Sequence, residues 1–319
     1  VKGPDNQPLI VTSYGDYVRK FGETFTSASN KQYEFLTSVA VKNYFQNGGS
    51  TALVTRVVKT ATDWKPASSS LITAQSSSTA TNQPFKLETL GKGELLNSSG
   101  PEYTGGGLHS GSKDNFRFEI GNVNTSNGTF TVSIRRGDDT TKSPIVLEQF
   151  TNCSLDPLSP NYIARKIGDQ YFSNDGTSVN VNGEYPNRSQ FVRVKDIKPT
   201  YQYLAPDGSV AISDSTLVTY TASLPIAQTG TFESAAGNNV NAGQTFGSSV
   251  TGTNIQGLAT SDYTVAVTTL KNKEEFKFKT LVVPGLNYSV ADHATLMDTI
   301  ITNTTERGDS FFIADLVPH

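Results

Sequence analysis

The chain has 319 residues, 35 % apolar and 17 % charged, with a net charge of −3, a length that suggests two or three domains, each able to bury its own core. Its low charge content is made up by Ser, Thr, Asn and Gly, a balance that favours β-structure with long polar loops over helical bundles or disorder. A slightly negative protein offers nucleic acid and anionic membranes no attraction, the single cysteine Cys153 excludes an intrachain disulfide and suits a reducing cytoplasm, and no run approaches the roughly 20 apolar residues of a spanning helix.

Residues 8–12 read as a short strand, and 14–21 as a helix with Tyr17, Val18 and Phe21 on one side, ended by Gly22. Ser29 and Gln32 stand at capping-box spacing, which predicts a longer helix with Tyr33, Leu36, Ala40 and Tyr44 on one face and Asn47-Gly48-Gly49 as its stop. Residues 51–58 form a β-branched run long enough for a buried strand. Strand, helix and strand make an α/β unit, whose crossover is expected to be right-handed if the strands are parallel neighbours.

Between 59 and 82 the composition shifts to Ser, Thr, Ala, Gln and Pro, which predicts a linker, with Trp64 as a local packing anchor. Residues 85–90 predict a strand, and the Gly-rich stretch 101–112 a mobile loop. Residues 116–120 and 129–134 alternate, apolar in and polar out, around an Asn127-Gly128 turn, the pattern of an antiparallel hairpin. A strand at 145–147 precedes a helix opened by Ser159-Pro160 and running through Tyr162, Ile163, Ile167 and Tyr171, and 191–194 predict a further strand. From 198 to 260 the chain is polar and aperiodic apart from short runs such as 215–220, so the sequence assigns it no architecture.

Order returns with Ser261 as the cap of a helix through Val265, Leu270 and Lys273. Residues 280–283 predict a strand closed by Pro284-Gly285. Asp292 then caps a helix carrying Leu296, Ile300 and Ile301, Gly308 ends it, and 310–316 read as a last apolar strand. The expected fold class is therefore α+β or α/β. Residues 1–58 and 261–319 form a discontinuous α/β core, 59–82 a linker, and 83–260 a large, mainly β insertion, divisible near 198 and expected to face outward.

Catalytic and metal chemistry find little footing. His109, His293 and His319 are far apart and read as surface residues, no Cys-x-x-Cys or His-Glu-x-x-His occurs, and no Gly-x-Ser-x-Gly elbow is present. The Gly105-Gly106-Gly107 run lacks the Lys and Ser/Thr of a phosphate loop. Asp138-Asp139 and Glu274-Glu275 are adjacent rather than facing and read as solvated charge. Arg307-Gly308-Asp309 matches an adhesion tripeptide by letters, yet its place predicts a helix C-cap, and Asn127-Gly128-Thr129 is a glycosylation triplet without a secretory signal. The expectation is no enzyme, no cofactor, no metal site and no catalytic residue.

A series of segments taken in order carries a family resemblance. Gly3-Pro4-Asp5-Asn6-Gln7-Pro8-Leu9-Ile10-Val11-Thr12-Ser13, Tyr17-Val18-Arg19-Lys20-Phe21-Gly22, Tyr33-Glu34-Phe35-Leu36, Tyr44-Phe45 before Gly48-Gly49, and Val54-Thr55-Arg56-Val57 resemble the opening core segment of phage contractile tail sheath proteins. Residues 148–157 followed by Asn161-Tyr162-Ile163 are similar to the family's strand-to-helix segment in its insertion domain. Asp262-Tyr263, Leu270, Glu274-Glu275-Phe276, Leu281-Val282-Val283-Pro284-Gly285 and 307–314 are similar to its closing core.

The resemblance implies a structural virion subunit, assembled in the host bacterial cytoplasm and located in the tail. Copies would stack as six-fold rings around a tail tube and contract to drive it through the host envelope during DNA ejection. Implied partners are neighbouring sheath subunits, the tail tube protein, and baseplate and tail terminator proteins, with no nucleic acid and no membrane insertion. The family's strand-adding arms are expected upstream of Val1 and downstream of His319, so that this stretch alone would lack the means to form a mature sheath. Two other readings stand beside it: the sheath of a tailocin or bacterial injection system, and a host- or carbohydrate-binding virion β-domain.

Overall fold

The structure is a computed structural model and describes residues 3–26, 32–58, 65–75, 79, 83–92, 102–109, 111–113, 115–200, 223–233 and 258–316. In chain order its first elements are β1 (Leu9–Val11), α1 (Tyr14–Phe21), β2 (Thr24–Thr26), β3 (Gln32–Glu34), α2 (Leu36–Gln46), β4 (Ala52–Val54), β5 (Pro66–Ser69) and β6 (Lys86–Lys92). There follow β7 (Phe116–Asn124), β8 (Thr129–Arg136), β9 (Val146–Ser154), α3 (Ile163–Ile167), β10 (Tyr171–Asn174), β11 (Val179–Asn182), β12 (Val192–Lys195) and β13 (Gln228–Glu233). A 3₁₀ turn (Thr260–Tyr263), α4 (Thr264–Thr269), β14 (Thr280–Val282), α5 (Ala291–Arg307) and β15 (Phe311–Ile313) complete the described chain.

The chain divides into two compact units, an α/β unit within Val1–Trp64, Phe172–Asn180 and Gly237–His319, and a β unit within Lys65–Tyr171 and Val181–Ala236. The fold is α+β, with both ends of the chain in a discontinuous α/β core and a mainly β body inserted between them.

In the α/β unit, α1 starts at Ser13, whose hydroxyl accepts the Asp16 N–H, and ends at Gly22 with φ 80. Its buried Tyr17 and Phe21 join Val11, Val41 and Val54 in one small core. Of the predicted capping box, Ser29 lies outside the described residues, and Gln32 belongs to a hairpin in which β2 pairs antiparallel with β3. The helix therefore begins only at Leu36, and β1 and β4 pair antiparallel rather than as a parallel crossover, the extra hairpin having turned the chain once more. The strand expected over 51–58 closes after three residues, but Val57 continues into a second core, made by Tyr263, Val267, Leu286, Leu296, Met297 and Ile300. The terminal segments thus share packing, although β1–β4 and β14–β15 remain separate two-stranded ladders rather than one sheet covered on both faces.

The β unit is a seven-stranded antiparallel sheet in the order β12-β6-β5-β13-β7-β8-β9. The hairpin of β7 and β8 turns at Gly128 as its sequence predicts. Phe85, Leu87, Phe118, Phe130, Val132, Ile134 and Phe232 form the core, with Ile163 and Ile167 of α3 packed on it. That helix stops at Gly168, φ 108, with the Asn187 backbone in the space a Cβ would need, so Tyr171 lies on a strand and not on the predicted helix.

Two corrections concern the polar tracts. Residues 65–75 are no linker: β5 lies inside the sheet, Ala67 and Ile72 are fully buried, and serines supply hydrogen bonds to neighbouring strands. Ser69 Oγ accepts the Leu87 N–H at 3.1 Å and Ser70 Oγ the Thr231 N–H at 3.0 Å. Out of the tract without assignable architecture, β13 emerges as a central strand between β5 and β7, while Trp64 and 215–220 fall outside the described residues.

The sheet edges are guarded. β12 is short and places Arg193 and Lys195 on Glu88 of β6. β9 shifts register against β8 twice, with Asn152 at φ 54, and such bulges spoil an edge as a template for another strand.

Candidate assembly surface

The end of the chain builds a parallel βαβ unit. β14 and β15 pair as Thr280↔Phe311, Leu281↔Phe312 and Val282↔Ile313, joined by α5. Strand alternation sends Leu281 and Phe312 toward Leu296, Met297 and Ile300 of that helix. Of the predicted helix face, Leu296 and Ile300 are buried and Ile301 is exposed, because the covered stripe runs through His293, Met297, Thr304 and Arg307. Gly308 caps the helix in the left-handed conformation, φ 72, as expected.

The opposite face of the strand pair is open. Val282 is 52 % exposed, Phe311 65 %, Ile313 56 % and the nearby Leu316 65 %. Register places the first three on one side of a two-stranded ladder, an apolar row with no layer over it among the described residues. Ile10, 59 % exposed on β1 opposite Leu53, is a further apolar residue left open in this unit.

Arg307 ties the end of α5 to neighbouring segments of this unit. Its buried guanidinium donates to the Leu270 carbonyl at 2.6 Å and the Phe276 carbonyl at 2.9 Å, grips both Asp309 oxygens at 3.0 and 3.1 Å, and lies over the Phe278 ring at 4.2 Å. The hydrogen bond to Arg307 holds the Asp309 carboxyl below its ordinary value. The adhesion-like tripeptide is thus a clamp between the end of α5, the 270–278 segment and the entry to β15. The N-terminal turn is fastened in a similar way, Arg56 donating to the Gly3 carbonyl at 2.6 Å while the Arg56 carbonyl accepts the Asn6 N–H at 2.8 Å.

Asp138 pairs with Arg136 at the surface, but Asp139 is buried and not solvated, bound by Arg135 at 2.7 and 2.9 Å and by Arg117 at 3.5 Å. Arg117 also holds the Gly106 carbonyl and Glu102, so the described part of the Gly-rich loop is strapped to the sheet instead of swinging free. This buried network was missed because a strict alternation in 129–134 reads as polar residues facing water, whereas Ser133 in that run and Arg135 just beyond it are covered. Of the histidines, His109 stacks on Tyr103, His293 is buried with Nδ1 accepting the Asn287 N–H at 3.2 Å rather than lying at the surface, and His319 is outside the described residues. Glu274 and Glu275 sit in an exposed turn capped by Asn272. Burial pushes the Cys153 thiol up to about 12. Among the described residues no three His, Cys, Asp or Glu are placed to hold a metal, and no helix is long and apolar enough to cross a membrane.

A solved structure is similar. It is that of a sheath tail protein from Desulfitobacterium hafniense, 13 % identical, matched over 88 % of this chain and 46 % of that one with a TM-score of 0.28. The chain spans about half the length of that protein. No family model matches the chain, and no curated protein does.

Proposed function

We propose that the chain is a structural subunit of a contractile tail sheath of the phage type. The observation that carries this reading is the open apolar row Val282, Phe311 and Ile313, set on a ladder too small to stand as a sheet of its own and braced from behind by α5 and Arg307. A face of that kind suits permanent contact with neighbouring copies. Its residues fall in the segments 281–285 and 307–314, whose letters resemble the closing core of sheath proteins, and the opening segments of the same resemblance fold into the same unit.

On this reading subunits stack as six-fold rings around a tail tube, are trapped in an extended lattice, and pass to a shorter, wider one on a signal from the baseplate. The work comes from new contacts between subunits and needs no nucleotide. On this reading the role is mechanical rather than catalytic. The protein as encoded would act in the virion tail after assembly in the host cytoplasm, with the tube, baseplate and terminator proteins as partners.

The test is assembly of the encoded protein with and without Phe311→Asp and Ile313→Asp, followed by sedimentation and negative-stain electron microscopy. Wild-type protein is expected to form high-mass rings or tubes, and the double variant to remain small while keeping its circular dichroism. Equal assembly by both, or no assembly by the wild type with its tube protein present, would refute the proposal.

A further inference from the structure

The middle piece of the α/β unit is the smallest. Residues 172–180, the tip of the β10–β11 hairpin, belong to it, while Tyr171 and Val181 on either side belong to the β unit. A nine-residue tip has little core of its own: Phe172 is exposed, and so is Tyr171 beside it. What binds the tip is polar.

Asn174 uses its whole carboxamide there. Nδ2 donates to the Asn6 carbonyl at 2.5 Å and to Thr269 Oγ at 2.8 Å, and Oδ1 accepts the Gly176 N–H at 2.8 Å. Thr269, fully buried at the end of α4, passes its own proton to the Val265 carbonyl at 2.8 Å. One side chain thereby joins segments 168 and 95 residues away in sequence. The turn itself is pre-formed, with Gly176 at φ 88 and Asp175 Oδ1 accepting the Thr177 and Ser178 N–H groups at 2.8 and 2.9 Å. Those backbone bonds hold the Asp175 carboxyl below its ordinary value.

We infer that Asn174 is a releasable latch, the Asn6–Asn174–Thr269 bonds holding the hairpin tip in the α/β unit as a piece that can leave without unfolding either unit. The physical ground is the contrast in binding: apolar cores must be breached cooperatively, whereas a part-buried amide trades its bonds for water at small net cost. Because the turn is built by its own Asn and Asp, it remains shaped when released and relatches without refolding. The latch is a property of the isolated chain and does not rest on the sheath reading.

Hydrogen–deuterium exchange on the full chain tests it. In the wild type, amides of 174–178 exchange more slowly than in an unstructured peptide. Asn174→Ala and Thr269→Val, the latter isosteric in a fully buried site, each accelerate exchange across 172–180 and around Asn6 by about tenfold, and Thr269→Ser, which keeps the hydroxyl, restores the wild-type rate. Strands β7, β8 and β9 keep their protection in all four proteins. Free exchange of the hairpin in the wild type, unchanged rates in the variants, no rescue by serine, or an equal acceleration in the sheet would each overturn the latch.

Discussion

Replacing Arg307 with methionine keeps a long, flexible side chain in place and removes every charge-assisted bond of the clamp. The Leu270 and Phe276 carbonyls lose their donor, at about 1 to 3 kcal/mol each when water cannot replace it fully. Loss of the guanidinium over Phe278 adds about 1 kcal/mol, the freed and partly exposed Asp309 little, and the buried methionine returns about 1 to 2 kcal/mol. The net expectation is a loss of about 3 kcal/mol, a large share of the roughly 5 to 15 kcal/mol that stabilises a domain. A chain of two compact units need not unfold in one step, so the assay is urea titration read by amide exchange in α5, β14 and β15 against the same reading in β7 and β8. The shift belongs to the first group alone. Arg307→Lys, a point charge without the fork, should lose about half as much. A loss below about 1 kcal/mol, or an equal shift in the sheet strands, would refute the clamp.

Cys153 is fully buried with its thiol raised to about 12, so a thiol reagent at pH 8 should leave the native protein unmodified and label it stoichiometrically in denaturant. Native labelling at the denatured rate would contradict the placement of β9. Gly230→Ala should destabilise the β unit by about 1 to 3 kcal/mol, because a Cβ there would lie 2.2 Å from the Phe118 ring, and a thermal-melt shift measures it. Asp16, Asp175 and Asp309 are all held below their ordinary 3.8, so the unfolded chain binds their protons first. Their contribution is complete above that value and is lost as pH falls through the lower folded ones, so the urea midpoint should drop between pH 5 and pH 3. A midpoint that rises on acidification would be the opposite sign.

Elements with strong local signals were legible. Gly22 ends α1 as read, Gly128 turns the β7–β8 hairpin, and Gly308 ends α5, because caps and turns depend on residues within one turn of chain. The misses depended on distant partners. β5 looks like a linker because its Ser and Ala residues fit a crowded central position only once Leu87 and Thr231 arrive beside them. Gln32 looks like a cap, yet the strand opposite claims it. The open apolar row was visible as an apolar run at 310–316, but its exposure follows from which strand pairs with β15 and which side α5 covers. Asn174 carried no signal, since its partners stand 168 and 95 residues away.

The most direct measurement is an electron cryomicroscopy map of the encoded protein assembled with its tube protein. The account predicts stacked six-fold rings in which Val282, Phe311 and Ile313 are covered by an adjacent subunit. Monomers at high concentration, or rings that leave Phe311 facing solvent, would contradict it.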